Sequence, residues 1–247
     1  MSRPMFVLVG VFVVLTLAAL VRIAAGFGFA LVSVPALALL LDPVTSVVLA
    51  ATLSVPLNLW VAIGDRAHVD RKGSLLLSGC VLAGVPFGLW ALNVVPESTL
   101  LLLIALSVVV GTLLVGLRVR VPGGMGAVAG MSVLSGASFA ATAIDGPILV
   151  AGLQGSRLAD LPPRVQRATL GVAFSVTSAA TLVGFGFGGQ LTSQVGGLVV
   201  LGVPALLLGT FVGERLFRRL DAELFRRTVL VLLVVSSVSM VTRVVTA

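Results

Sequence analysis

A succession of apolar runs, several about 20 residues long and divided by short basic loops, leaves this chain few ways to fold. A run of that length is enough to cross the hydrocarbon core of a bilayer as a helix. The 247 residues are 58% hydrophobic and only 10% charged, against roughly 25% charged in a soluble globular domain. That composition excludes an ordinary soluble domain, and the long runs lack the polar face of a surface-lying amphipathic helix. The fold class is therefore an all-α polytopic membrane protein, placed in the cell (inner or plasma) membrane and in contact with its lipids. The first run meets more apolar chain before any small-residue cleavage site, so it reads as a retained span.

Spans are expected at about Val44 to Ile63, Leu75 to Leu92, Thr99 to Leu117, Ala168 to Phe187, Val195 to Val212 and Thr228 to Met240. Two apolar runs do not fit a single crossing. Met5 to Leu41 contains AAGFGFALVSVP from Ala24 to Pro35, and Met125 to Leu153 contains GASFAATAIDGP from Gly136 to Pro147. Glycine and proline punctuate a helix, and irregular backbone at membrane depth survives only where protein or a water-filled cavity covers it. Each stretch reads as a broken or re-entrant element, with helix breaks at Pro35 in the first and at Gly146 and Pro147 in the second.

The net charge of +7 comes from basic residues at the ends of apolar runs, as membrane topology requires, and not from a nucleic-acid-binding patch. Lys and Arg in short loops put Gly64 to Ser74, Arg118 to Gly124, Gln154 to Arg167 and the five arginines of Glu214 to Arg227 in the cytoplasm. Asn93 to Ser98 and Gly188 to Gln194 then lie outside. It follows that Met125 to Leu153 has both ends inside and Met5 to Leu41 both ends outside. The broken elements would enter from opposite leaflets, the inverted-repeat arrangement of many secondary transporters. The expected repeats are residues 1–120 and 121–247, together one transport domain. Short matches keep the same order in both halves. Phe29-Ala30 and Phe139-Ala140 each precede a proline, Ala51-Thr52-Leu53 matches Ala168-Thr169-Leu170, Asn58 matches Ser175, and Gly84-Val85-Pro86 matches Gly202-Val203-Pro204. An insertion near Gly155 to Asp160 would reconcile their spacings.

Broken elements in corresponding halves point to a transporter's substrate site. Gly26 and Gly28 could expose backbone N–H groups to an anion, or serve close helix packing. Arg22, inside the opening run, could bind an anion or snorkel to the interface. Asp145 could bind protons and couple transport to them, pair with Arg22, or cap the helix starting at Gly146-Pro147. Ser33, Thr52, Asn58, Ser135, Ser138, Thr142 and Ser175, with Thr169 and Ser178 beside them, could line the cavity. The alternative for such hydroxyls is bonding to their own or a neighbouring helix. His68 sits in a charged loop, where solvation is expected. The single cysteine, Cys80, permits no intrachain disulfide, and no Cys/His cluster indicates a metal. No enzyme signature is present: there is no HExxH, phosphate loop or haem-binding cysteine pair, and one histidine makes a hydrolase triad improbable. No cofactor and no nucleic-acid partner is expected, and self-association is left open.

Three sets of residues resemble a known family. They are Gly26-Phe27-Gly28-Phe29 with Pro35 and the small residues Ala50 to Thr52; Gly79 with Ala83-Gly84-Val85-Pro86-Phe87-Gly88; and Pro204 to Gly213 followed by Leu216 and Phe225-Arg226-Arg227. In this order and spacing the chain resembles the sulfite exporter TauE/SafE family of membrane permeases. The resemblance implies a multi-span carrier for sulfite, sulfonates and related anions. The second half departs from the family's glycine-rich pattern, with Ala137, Ser138 and Asp145 in the corresponding neighbourhood. The leading expectation is a secondary transporter for small sulfur-containing or organic anions, working by alternating access. The alternatives are an anion channel and a non-transporting membrane assembly protein.

Overall fold

A computed structural model describes residues 3–25, 28–117, 119–121 and 123–217. Gly26, the expected last span and most of the expected loop from Glu214 to Arg227 lie outside the described residues. The described chain is helical: α1 (Arg3–Ala25), α2 (Phe29–Leu37), α3 (Pro43–Gly64), α4 (Arg71–Val94), α5 (Glu97–Gly116), α6 (Gly124–Thr142), α7 (Gly146–Gln154), α8 (Pro163–Phe187) and α9 (Ser193–Phe217). Seven of these helices are long and apolar enough to cross a membrane. The two others, α2 and α7, have nine residues each. At 1.5 Å per residue each is roughly 14 Å long, too short to cross about 30 Å of hydrocarbon.

Local chemistry explains the boundaries. Asp42 caps α3 by accepting from the Thr45 amide at 2.8 Å, with Pro43 in the first turn. Asp70 caps α4 by accepting from the Gly73 amide at 2.7 Å. Gly28 (φ 94°) stands before α2 in the left-handed region that glycine tolerates. Ala143 (φ 60°) holds the same region after α6, without that freedom. α8 starts at Pro163, earlier than the expected Ala168, because proline is well placed in a first helical turn. Arg164 and Arg167 thereby stand on the helix and not in a loop.

The helices pack through small residues. Gly84 and Gly88 of α4 lie against the carbonyls of Val133 and Ala137 on α6, and Gly136 of α6 lies against Val81 of α4. A Cβ at any of the three would overlap backbone. On the other side of the bundle Gly209 of α9 meets the Thr16 carbonyl of α1. With no hydrophobic drive between helices in lipid, such close backbone approach supplies the van der Waals contact that holds them. The outer faces carry Phe6, Leu75, Phe87, Leu106, Leu207 and Phe211 to the lipid. Trp60 (76% exposed) and Trp90 (63%) lie near the ends of α3 and α4, at the positions of interfacial anchors.

The loops gather into two groups. Arg164 and Arg167 of α8 bond Asp65, which follows α3. The Val121 amide between α5 and α6 donates to the Ala151 carbonyl of α7. These connections share one arginine-rich face. Gln190, after α8, donates to Asn93 at the end of α4 on the opposite face. Gly10 of α1 packs on Leu40, just past α2. Two details differ from the sequence reading. Phe29 opens α2 whereas Phe139 lies in the last turns of α6, so these two phenylalanines are not equivalent. The starts of α2 and α7 are as far apart in sequence as Ala51 and Ala168 or Asn58 and Ser175, and Gly84 and Gly202 are one residue further apart. His68 is half-buried in a 3-10 turn, and its Nδ1 is buried without a partner.

The α4–α6 contact makes a direct prediction. Gly84→Val should lower thermal stability in detergent by about 2 kcal/mol or more, because overpacked backbone must separate. Gly79→Ala on the same helix, where a Cβ meets nothing within 4 Å, should be neutral. Equal unfolding temperatures for the two variants would contradict the packing.

Candidate functional site

The two breaks meet. A small polar cavity is lined by Arg22 near the end of α1, Gly28 and the first residues of α2, and Ala143 to Pro147 between α6 and α7. Ser54 and Asn58 of α3 and Phe174 of α8 complete it, with Phe29 and Phe139 as apolar walls. Its volume is about 20 Å³, the scale of a single water site. The N-termini of α2 and α7 both border this space. The exposed amides and dipole of a helix start favour negative charge.

Arg22 is held by α3. Its Nη2 donates to Asn58 Oδ1 at 2.5 Å, and the Asn58 amide donates onward to the Phe174 carbonyl and Ser178 Oγ, both at 3.2 Å. Asn58 is 3% exposed. One carboxamide thus uses both ends to tie α1 and α8 to α3, and gives a guanidinium within a span the acceptor it needs.

Asp145 stands opposite. It precedes the first residue of α7, but its side chain makes no capping bond, and its Oδ2 is buried without a partner. No direct ion pair joins it to Arg22. The ion pairs among the described residues are Asp65 with Arg164 at 3.4 Å and with Arg167 at 3.6 Å. The cavity therefore holds a cation anchored by a neutral amide and a carboxylate oxygen left unengaged.

Hydroxyls of α6 hold the second break in shape. Ser135 donates to the Asp145 carbonyl at 3.3 Å, and Ser138 to the Ile144 carbonyl at 2.6 Å. Thr142 donates to the Ser138 carbonyl at 2.8 Å and lies 3.4 Å from Ser107 Oγ. Ser175 bonds back to Gly171, and Thr169 Oγ1 accepts from the Asp70 amide. Ser33 and Thr52 carry buried hydroxyl oxygens without partners and do not border the cavity. Of the sequence candidates, the structure brings Arg22, Gly28, Asn58, Asp145, Gly146 and Pro147 together around it. The helix break expected at Pro35 is not there: Pro35 lies inside α2, and the interruption comes before Phe29. Sequence reasoning missed Ser54, Phe29, Phe139 and Phe174 as lining residues. Their neighbourhood to Asn58 and to the breaks was the available signal.

A second, wider cavity of about 220 Å³ adjoins on the arginine-rich face. It is lined by Arg22 again, with Val61, Gln154, Gln166, Arg167 and Phe174 among its walls. Arg22 is thus common to both spaces. Among the described residues, no group of three or more His, Cys, Asp or Glu could hold a metal ion.

The family described as sulfite exporter TauE/SafE matches residues 11–240. No curated protein and no solved structure matches the chain. A match over so much of a multi-pass membrane protein shows that the chain belongs to the sulfite exporter TauE/SafE family.

Proposed function

We propose that the protein is a secondary transporter for small sulfur-containing or organic anions, such as sulfite or sulfonates, and works by alternating access. The observation that carries this reading is the convergence of two helix breaks on one polar cavity, with Arg22 on one wall and Asp145, one carboxylate oxygen of which is buried without a partner, on another. Helix N-termini and a guanidinium suit an anion. The inner cavity is too narrow for an open pore, which favours a gated site over a channel.

Inverted repeats of residues 1–120 and 121–247 would supply the moving parts. Several features support them. The helices α2 and α7 are equal in length, and α1 and α9 pack through glycine as α6 and α4 do. The α1–α2 pair has its ends near Gly10 and Leu40, whereas the α6–α7 pair has its ends near Val121 and Ala151 on the arginine-rich face. By the loop-charge rule that face is cytoplasmic. Asp145, near the centre of the second pair, is the proton-binding candidate. Its proximity to Arg22 lets substrate and proton influence one another electrostatically. The hydroxyls of Ser33, Thr52 and Ser175 would come into use in another conformation of the cycle, while Ser135, Ser138 and Thr142 keep the break in place.

The purified protein in proteoliposomes should carry sulfite or methanesulfonate with saturable kinetics. Arg22→Gln should lower kcat/KM about tenfold or more, equivalent to roughly 1.4 kcal/mol. Flux that rises linearly with concentration would contradict a carrier. Asp145→Asn should keep saturable flux yet lose acceleration by an imposed pH gradient; unchanged acceleration would remove the proton role. Asn58→Leu strips Arg22 of its acceptor and should reduce thermal stability by about 1–3 kcal/mol. An unfolding temperature equal to the parent's would show that Arg22 does not depend on that bond.

A further inference from the structure

We propose that the wider cavity on the arginine-rich face is a loading site for one small oxyanion of the sulfite or sulfonate class, held between Arg167 and Arg22 before it moves inward. The inference deepens the transporter reading and rests on it. It adds Arg167 and Gln154 to the residues that meet the substrate.

The chemistry of the walls selects the ligand. Two guanidinium groups and the carboxamides of Gln154 and Gln166 line this space, and no carboxylate does. The remaining walls include Val61, Leu170 and Phe174, which keep part of the space dry and strengthen charge interactions there. A volume of about 220 Å³, against about 20 Å³ for the single-water inner cavity, takes several waters or one hydrated oxyanion. A guanidinium presents five donors in a fork that matches oxyanion geometry. The inner cavity, at about 20 Å³, has no such room in this conformation.

The two arginines have donors to spare, whereas Gln166 has spent both of its amide hydrogens. Gln166 directs its amide to the Ala159 and Leu161 carbonyls, at 2.9 and 2.7 Å, and so fixes the loop before α8. Arg167 meets Asp65 through Nε, and its side chain is 63% exposed, which leaves its terminal nitrogens for a ligand. Asp65 is shared with Arg164, so one carboxylate faces two arginines and a positive charge remains uncompensated. Arg22 uses Nη2 on Asn58. Because Arg22 borders both spaces, an anion can pass inward without leaving its guanidinium. Asp65 is the competitor that an arriving anion displaces from Arg167.

Arg164 and Arg167 provide a matched test. Each removal deletes one positive charge and one arm of the Asp65 pairing, but only Arg167 lines the cavity. Equilibrium binding of radiolabelled sulfite and of methanesulfonate to the full chain in detergent should be measured beside initial flux from the arginine-rich face. Arg167→Gln should raise Kd, and KM from that face, about tenfold with little change in kcat. Arg164→Gln should stay within about threefold of the parent, Arg167→Lys should fall between the two, and Asp65→Asn should bind more tightly. Equal effects of Arg167→Gln and Arg164→Gln would overturn the loading site, as would absence of saturable binding of both anions to the parent. Binding that depends on Arg167 without any flux would keep the loading site and remove the transporter reading. Saturable flux indifferent to Arg167→Gln would do the reverse.

Discussion

A guanidinium inside a membrane span must find an acceptor, and in this protein Asn58 is that acceptor. The bond from Arg22 fixes the end of α1 next to the first break, and the other end of the same carboxamide reaches the backbone of α8. Three helices are thereby referenced to one side chain. Remove that acceptor and the charge has two outlets, the arginine-rich face or the Asp145 carboxylate. Either would redraw the polar centre of the bundle.

The breaks impose a second demand. Interrupting a helix frees backbone amides and carbonyls that lipid cannot satisfy. The α6–α7 break meets this with Ser135 and Ser138, which accommodate the carbonyls of Asp145 and Ile144, while the Ala143 amide bonds Phe139. Left-handed backbone at Gly28 and Ala143 turns the chain in each case. What the fold gains is a pair of helix starts that face a common space. Tight glycine contacts between α4 and α6 and between α9 and α1 hold the surrounding helices against one another.

Much of this was legible in the residues. Apolar length gave the spans, and Gly-x-Gly and Asp-Gly-Pro marked where helices stop. Rare charges within apolar runs singled out Arg22 and Asp145, because lipid makes such residues expensive. Other features were hidden for physical reasons. A serine or threonine in a span gives no sign of whether it donates to its own helix, as Ser175 does, or braces a neighbouring break, as Ser135 does. The Phe-Ala matches gave no sign that Phe29 follows its break whereas Phe139 precedes the other, though both line the cavity. The place of Arg167 on a cavity wall depended on α8 beginning at Pro163, several residues before the apolar run that announced it.

The central claim is that the two breaks lie against each other across one cavity. Leu31, just after the first break, and Ile144, within the second, both line it and are each almost fully buried. Leu31→Cys with Ile144→Cys, in a Cys80→Ser background, tests the claim by direct oxidation to a disulfide with molecular iodine in native membranes. The account predicts an intramolecular cross-link that joins the two halves after proteolysis between them. A full absence of that cross-link, with both cysteines shown to be reactive, would contradict it.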